Sequence, residues 1–196
     1  MSSHEPAAGP NWNGFSVGLG VGATSAVTDV SAYNGYVGLD GVGGEGVIGT
    51  ISLGYDRVLR PGWVAGLFTD YTIGGAETDA NFGDIGASFD QNYSWAIGAR
   101  LGFLTNPSTL VYGTAGYTQS EFEVSFLGGS ADQTFGGYFV GAGIETYLRP
   151  NWTAKLEYRF SQYDGEDFNT GGFLDVEPST HAVRAVLSYK FGGPRD

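Results

Sequence analysis

The chain has 196 residues, 34 of them glycine and 25 phenylalanine or tyrosine, with no cysteine and a formal net charge of −12. The missing thiols exclude disulfides, thiolate metal centres and cysteine nucleophiles, and the acidic balance excludes a nucleic-acid partner, whose phosphates need lysine and arginine. No run of about 18 apolar residues exists, so a transmembrane helix is excluded, while membrane-spanning strands of about 9–11 residues are not.

One domain accounts for the length, and the richness in Gly, Tyr, Phe, Val and Thr points to an all-β fold. Residues 1–11 lack the basic start and apolar segment of a signal peptide and read as a disordered tail. Alternating patterns then mark eight strands, near 13–24, 45–56, 63–72, 91–104, 109–119, 134–148, 152–161 and 181–191. Extended chain turns successive side chains to opposite faces, so a period of two means a strand. The first strand sets Phe15, Val17, Leu19 and Val21 against serine and glycines, and the second sets Val47, Ile51, Leu53 and Tyr55 against Thr50, Ser52, Gly54 and Asp56. Strands three and five are noisier, and the phase of 109–119 stays open. The seventh is the cleanest: Trp152, Ala154, Leu156, Tyr158 and Phe160 oppose Thr153, Lys155, Glu157 and Arg159. In the eighth, Val183, Ala185, Leu187, Tyr189 and Phe191 oppose Arg184, Ser188 and Lys190, and GGPRD (192–196) follows as a short extension.

An amphipathic strand leaves open which face is buried. A soluble fold buries the apolar side, whereas a barrel in lipid turns it outward. Three patterns favour lipid. Connections near 57–62, 105–108 and 149–151 are short and carry Pro, Gly or Asn, while those at 25–44, 73–90, 120–133 and 162–180 are long. Most of the 21 acidic residues lie in or beside the long connections, which hold none of the nine basic ones. Aromatics gather near the strand ends: Trp12, Tyr55, Trp63, Phe103, Tyr147, Trp152, Tyr189 and Phe191 at the short-turn end, Tyr71, Tyr93, Phe160 and Tyr163 at the other. Trp and Tyr favour the membrane–water boundary, so these read as two girdles.

With the apolar face outward, the polar faces place Asp70, Arg100, Glu145, Lys155, Glu157, Arg159 and Arg184 inside. An eight-stranded bore is just wide enough to be filled by side chains, and opposite charges there must pair to offset their burial. The expectation is an ionic plug rather than a channel.

The stretches "NWNGFSVGLGVG", "GVIGTISLGYD", "RPGWVAGLFTDY", "YFVGAGIETYL", "NWTAKLEYRF" and "HAVRAVLSYKF" resemble the OmpA-like small barrels of Gram-negative outer membranes, and among them the Omp25/Omp31-type surface antigens of alphaproteobacteria. The resemblance spans residues 12–191. It implies an eight-stranded antiparallel up-and-down transmembrane barrel with periplasmic termini and extracellular long loops. It further implies a role in envelope integrity or surface interaction, beside outer-membrane lipid, lipopolysaccharide, the barrel assembly machinery and an extracellular partner the sequence does not name. Two departures stand out: such barrels usually end on a phenylalanine, whereas here five residues follow Phe191, and no peptidoglycan-binding domain follows.

Catalysis finds little support. His4 lies in the tail, and His181, in "STHAVRA", lacks the His-x-Ser spacing of outer-membrane deacylases and shares the lipid-facing phase. The acidic "YDGEDFNTGG" and "LDVEP" offer oxygen ligands without the register of a Ca²⁺ loop, so no metal site and no cofactor are expected. A small passive channel or haemin-type binder is the alternative function. A lipocalin-like soluble barrel would leave the sorted charges and the aromatic girdles as coincidences.

Overall fold

The computed structural model describes the backbone over residues 10–32, 37–74, 77–82, 85–126, 129–163 and 174–191, and side chains over 10–25, 45–74, 93–120, 136–163 and 179–191. The described residues form nine strand segments: β1 (Gly14–Ala32), β2 (Val37–Arg60), β3 (Trp63–Ile73), β4 (Glu77–Phe82), β5 (Ile85–Asn106), β6 (Thr109–Phe126), β7 (Gly129–Arg149), β8 (Trp152–Tyr163) and β9 (Leu174–Phe191). All pairings are antiparallel. β3 and β4 each pair with both β2 and β5, so they form the lower and upper parts of one stave. The eight staves close where β1 meets β9, from Phe15↔Phe191 to Ala32↔Leu174. Closure removes the sheet edge, which lipid could not satisfy with hydrogen bonds.

Three two-residue turns share one construction. Pro61–Gly62, Pro107–Ser108 and Pro150–Asn151 are each flanked by a closing pair, Arg60↔Trp63, Asn106↔Thr109 and Arg149↔Trp152. Immediately before each pair the register slips past one residue, Leu59, Thr105 or Leu148. Proline presets the backbone at the turn, and Gly62, with φ of 83°, occupies the left-handed region that a side chain disfavours. The skipped residue is a bulge that tightens the twist as the strand reverses.

The opposite end differs from the sequence reading. Of the four long connections, those at 25–44, 73–90 and 120–133 are largely continued ladder, paired out to Ala32↔Val37, Phe82↔Ile85 and Phe126↔Gly129. Their boundaries were hidden because an apolar–polar alternation needs lipid on one side. Beyond the bilayer the backbone keeps its hydrogen bonds while the side-chain pattern fades to Gly, Ser, Thr and acids.

Outward residues form an apolar belt: Leu67 is 67 % exposed, Leu19 65 % and Leu156 53 %, with Leu53, Ile97, Leu101, Val140 and Leu187 beside them. Removing such a side chain from water is worth about 1.5–3 kcal/mol, while an arginine or lysine in its place at mid-membrane costs about 2–4 kcal/mol. Both terms select the observed phase. The belt is bounded on β5 by Trp95 and Phe103, about 26 Å apart along the strand at 3.3 Å per residue. Inward positions hold Thr50, Ser52, Thr114, Thr118 and Ser188, and the Phe139 ring is enclosed there.

Candidate functional site

The bore is occupied by side chains in three levels. At the short-turn end, Trp12 lies inside the barrel at 2 % exposure, packed with Val64, Leu110 and Tyr112. Its indole Nε1 donates to the Pro107 carbonyl at 3.0 Å, and the Tyr147 ring meets it edge-on at 4.9 Å. The Tyr147 hydroxyl donates to the Asn11 carbonyl at 2.6 Å, and the Asn13 side chain accepts from the Val58 amide at 2.8 Å. Residues 11–13 are thereby tied across the mouth.

Above this lies a four-charge cluster. Arg100 of β5 forks onto Asp56 of β2, with Nε to Oδ1 at 2.8 Å and Nη2 to Oδ2 at 2.6 Å, and its Nη1 reaches Glu145 of β7 at 2.6 Å. Lys190 of β9 joins Asp56 at 2.6 Å and Glu145 at 3.5 Å. The second cluster lies farther from the turns. Arg184 of β9 meets Asp70 of β3 at 2.8 Å and Glu157 of β8 at 2.6 Å, and Arg159 of β8 meets the same two carboxylates at 2.9 and 3.0 Å. Tyr112 donates its hydroxyl to Glu157 at 3.0 Å. The Arg159 guanidinium covers the Phe139 ring at 4.0 Å, and Arg100 covers Tyr112 at 5.1 Å. Each cluster has two cations and two carboxylates, all buried. Neutrality at each level matters, because removing one member of a buried pair costs about 3–5 kcal/mol.

Lys155 is the exception among the seven interior charges named from sequence. It faces the bore half-buried, with no carboxylate within 4.0 Å among the described residues. It borders a cavity of about 20 Å³, lined also by Asp56, Asp70, Arg100, Tyr112, Glu157 and Arg184, room for about one water molecule. The other six, Asp70, Arg100, Glu145, Glu157, Arg159 and Arg184, are divided between the clusters. Asp56 and Lys190 were missed. Both share the inward phase of their strands, but their nearness to the turns gave them the appearance of rim residues.

Six girdle aromatics lie in an outer ring at the short-turn end. Trp63 packs on Phe103 at 5.6 Å, Trp152 on Tyr189 at 5.3 Å, Tyr189 on Phe191 at 5.0 Å, and Tyr55 on Phe15 at 4.8 Å. Trp12 is a correction: it is not a boundary aromatic, because the chain before β1 folds into the mouth and carries the indole inside. Tyr147 accompanies it there. Tyr163, at the other end, is likewise inside, where its hydroxyl accepts from Ser120 at 2.9 Å. Asn11, read as tail, is held by Tyr147, whereas residues 1–9 and 192–196 lie outside the described residues, as do the side chains of nearly all the loop acids and, Tyr163 apart, of both candidate Ca²⁺ stretches. His181 pairs through Nδ1 with the Tyr158 hydroxyl at 2.7 Å and lies 5.1 Å from the Phe160 ring.

A closed antiparallel barrel with apolar exterior and charged interior is the geometry of a membrane-spanning strand protein, and the sequence profile of the outer membrane protein beta-barrel domain matches residues 1–191. The chain belongs to that family. It is 30% identical over 160 residues to the 31 kDa outer-membrane immunogenic protein of Brucella melitensis, an alignment covering 74% of this chain and 67% of that protein. It is 32% identical over 162 residues to the 22 kDa outer membrane protein of Rhizobium leguminosarum, covering 76% of each. The 25 kDa outer-membrane immunogenic protein of Brucella canis is 30% identical over 142 residues, covering 66% of each. Among solved structures, Neisserial surface protein A superposes with a TM-score of 0.53 at 18% identity, covering 88% of this chain and 97% of that one. The outer membrane protease OmpT from Escherichia coli gives 0.52 at 12%, covering 97% and 100%. Likeness at such identities concerns the fold alone, and a shared barrel carries no protease activity with it. The family and its relatives assign the protein to the outer membrane.

Proposed function

We propose that this barrel is a structural and surface-interaction protein of the cell envelope rather than an enzyme or an open pore. Its short turns and termini face the periplasm, and its acidic long connections face the exterior, where they meet lipopolysaccharide and an extracellular partner. The barrel assembly machinery inserts it. The observation carrying this reading is the occupation of the bore by two neutral charge clusters above a tryptophan-filled mouth. Such a filling rigidifies the wall and obstructs the bore at these levels, and lipid grips the outside. The pairing of His181 with a phenol supports a packing role for that histidine.

Planar-bilayer recording tests the reading. The full chain is expected to insert silently. A steady unitary conductance, altered by Lys155→Ala, would favour the passive channel instead.

A further inference from the structure

The loops Leu59-Arg60-Pro61-Gly62-Trp63 and Leu148-Arg149-Pro150-Asn151-Trp152 repeat one local structure as well as one sequence. In both, a bulge leaves leucine out of register, and arginine and tryptophan form the closing pair. Leu59 and Leu148 are 62 % and 59 % exposed, and Arg60 and Arg149 are exposed beside them. The Arg60 guanidinium lies 4.9 Å over the Trp63 ring. Arg57, also exposed, adds a third cation on the outer side of β2. None of these three arginines has a carboxylate within 4.0 Å among the described residues. Among the described residues, the carboxylates at this level, Asp56 and Glu145, are buried and engaged by Arg100 and Lys190. The outer rim at the short-turn end is therefore cationic and apolar at once.

We infer that the two Leu-Arg-Pro-x-Trp turns, with Arg57, form an annular binding surface for anionic phospholipid. The leucines extend into the acyl region, the tryptophans lie at the boundary, and the arginines reach lipid phosphates along apolar stems. Position around the barrel chooses this occupant over a soluble acidic polymer. The β2–β3 and β7–β8 turns are separated by two staves in either direction, β5 and β6 one way, β9 and β1 the other. They therefore lie on opposite sides of the bore. One soluble ligand would not grip both, whereas surrounding lipid meets both. That the leaflet is the periplasmic one rests on the orientation proposed above; the lipid preference itself does not.

Native mass spectrometry of the full chain released from nanodiscs containing equal phosphatidylglycerol and phosphatidylcholine tests the inference. The wild-type chain is expected to retain phosphatidylglycerol preferentially. Arg57→Gln with Arg60→Gln, and Arg149→Gln separately, should each lower that preference, by about fivefold per arginine at low salt. Far-ultraviolet circular dichroism verifies folding of each variant. Equal retention of the two lipids by the wild type overturns the inference, and so does a preference unchanged in a third variant that combines Arg57→Gln, Arg60→Gln and Arg149→Gln. A parallel series with lipopolysaccharide should be insensitive to these substitutions; loss of its retention instead would transfer the surface to the other leaflet and overturn both the assigned lipid and the orientation.

Discussion

Glu157 of β8 and Arg184 of β9 are register partners whose side chains meet at 2.6 Å, and the same Glu157 oxygen takes Arg159 from two positions along its own strand at 3.0 Å. Period two makes this possible, since residues i and i+2 share a face. Glu157→Gln leaves two arginines sharing Asp70 and should destabilise the folded barrel by about 3–5 kcal/mol. Pairing Glu157→Leu with Arg184→Met leaves the neutral Asp70–Arg159 pair and should recover most of that loss. Urea-unfolding midpoints in lipid vesicles check both; equal loss in single and double variants would show that the charges are not coupled.

Glycine makes room for the lower cluster. A Cβ on Gly66 would meet the Asp56 Oδ1 that Arg100 holds, whereas a Cβ on Gly49 would meet nothing within 4 Å. Gly66→Ala is expected to cost about 1–3 kcal/mol through overpacking. Gly49→Ala should stay within about 0.5 kcal/mol of the parent. The same unfolding assay separates them.

Trp12 and Trp152 look alike in sequence and differ in place, one inside the mouth and the other 41 % exposed on the outer ring. Trp12→Ala should cost about 3–5 kcal/mol, as for a buried aromatic, and more than Trp152→Ala in the same vesicles. Tyr147→Phe, which removes only the bond to Asn11, should cost about 1 kcal/mol. If Trp152→Ala proves the costlier tryptophan change, the mouth is not packed as described.

The apolar belt tolerates no cation near its middle. Leu67, paired with Ala99 on β5 between the two aromatic rings, is a suitable place to add one. Leu67→Arg should lower folding stability by about 2–4 kcal/mol. The folded fraction, read from the mobility difference between unheated and boiled samples on a gel, should fall accordingly at intermediate urea.

Much of this was legible in the sequence because lipid imposes a strict rule on one face. Strand phase could be read wherever the inner face is small or charged, as on β2, β8 and β9. It blurred where the inner face is apolar too: Val64 on β3, and Leu110 and Tyr112 on β6, belong to the mouth core, and they explain the noise in the third and fifth strands of the sequence reading. Val186, an apolar residue at an inward position of the last strand, is buried in the bore beside Gly18 and Gly20, where small residues leave space for it. The charge clusters were harder to read, since a strand pattern gives the face of each residue but not its level around a tilted, staggered barrel. Lys155 and Glu157 share a face, yet only Glu157 joins a cluster. Trp12 could not be placed by alternation, because it precedes the first strand.

Leu156 faces outward and Glu157 faces the side-chain-filled bore, so lipid should meet the first side of the wall and not the second. Fluorescence quenching by phospholipids brominated at mid-chain tests it, in a chain whose four tryptophans are replaced by phenylalanine and a single one is returned. Tyr112 turns into the bore, where its hydroxyl donates to Glu157 at 3.0 Å. Tryptophan introduced by Leu156→Trp should be strongly quenched and tryptophan introduced by Tyr112→Trp should not. Strong quenching at 112 with none at 156 would mean that the two faces are reversed and that the charged side meets lipid.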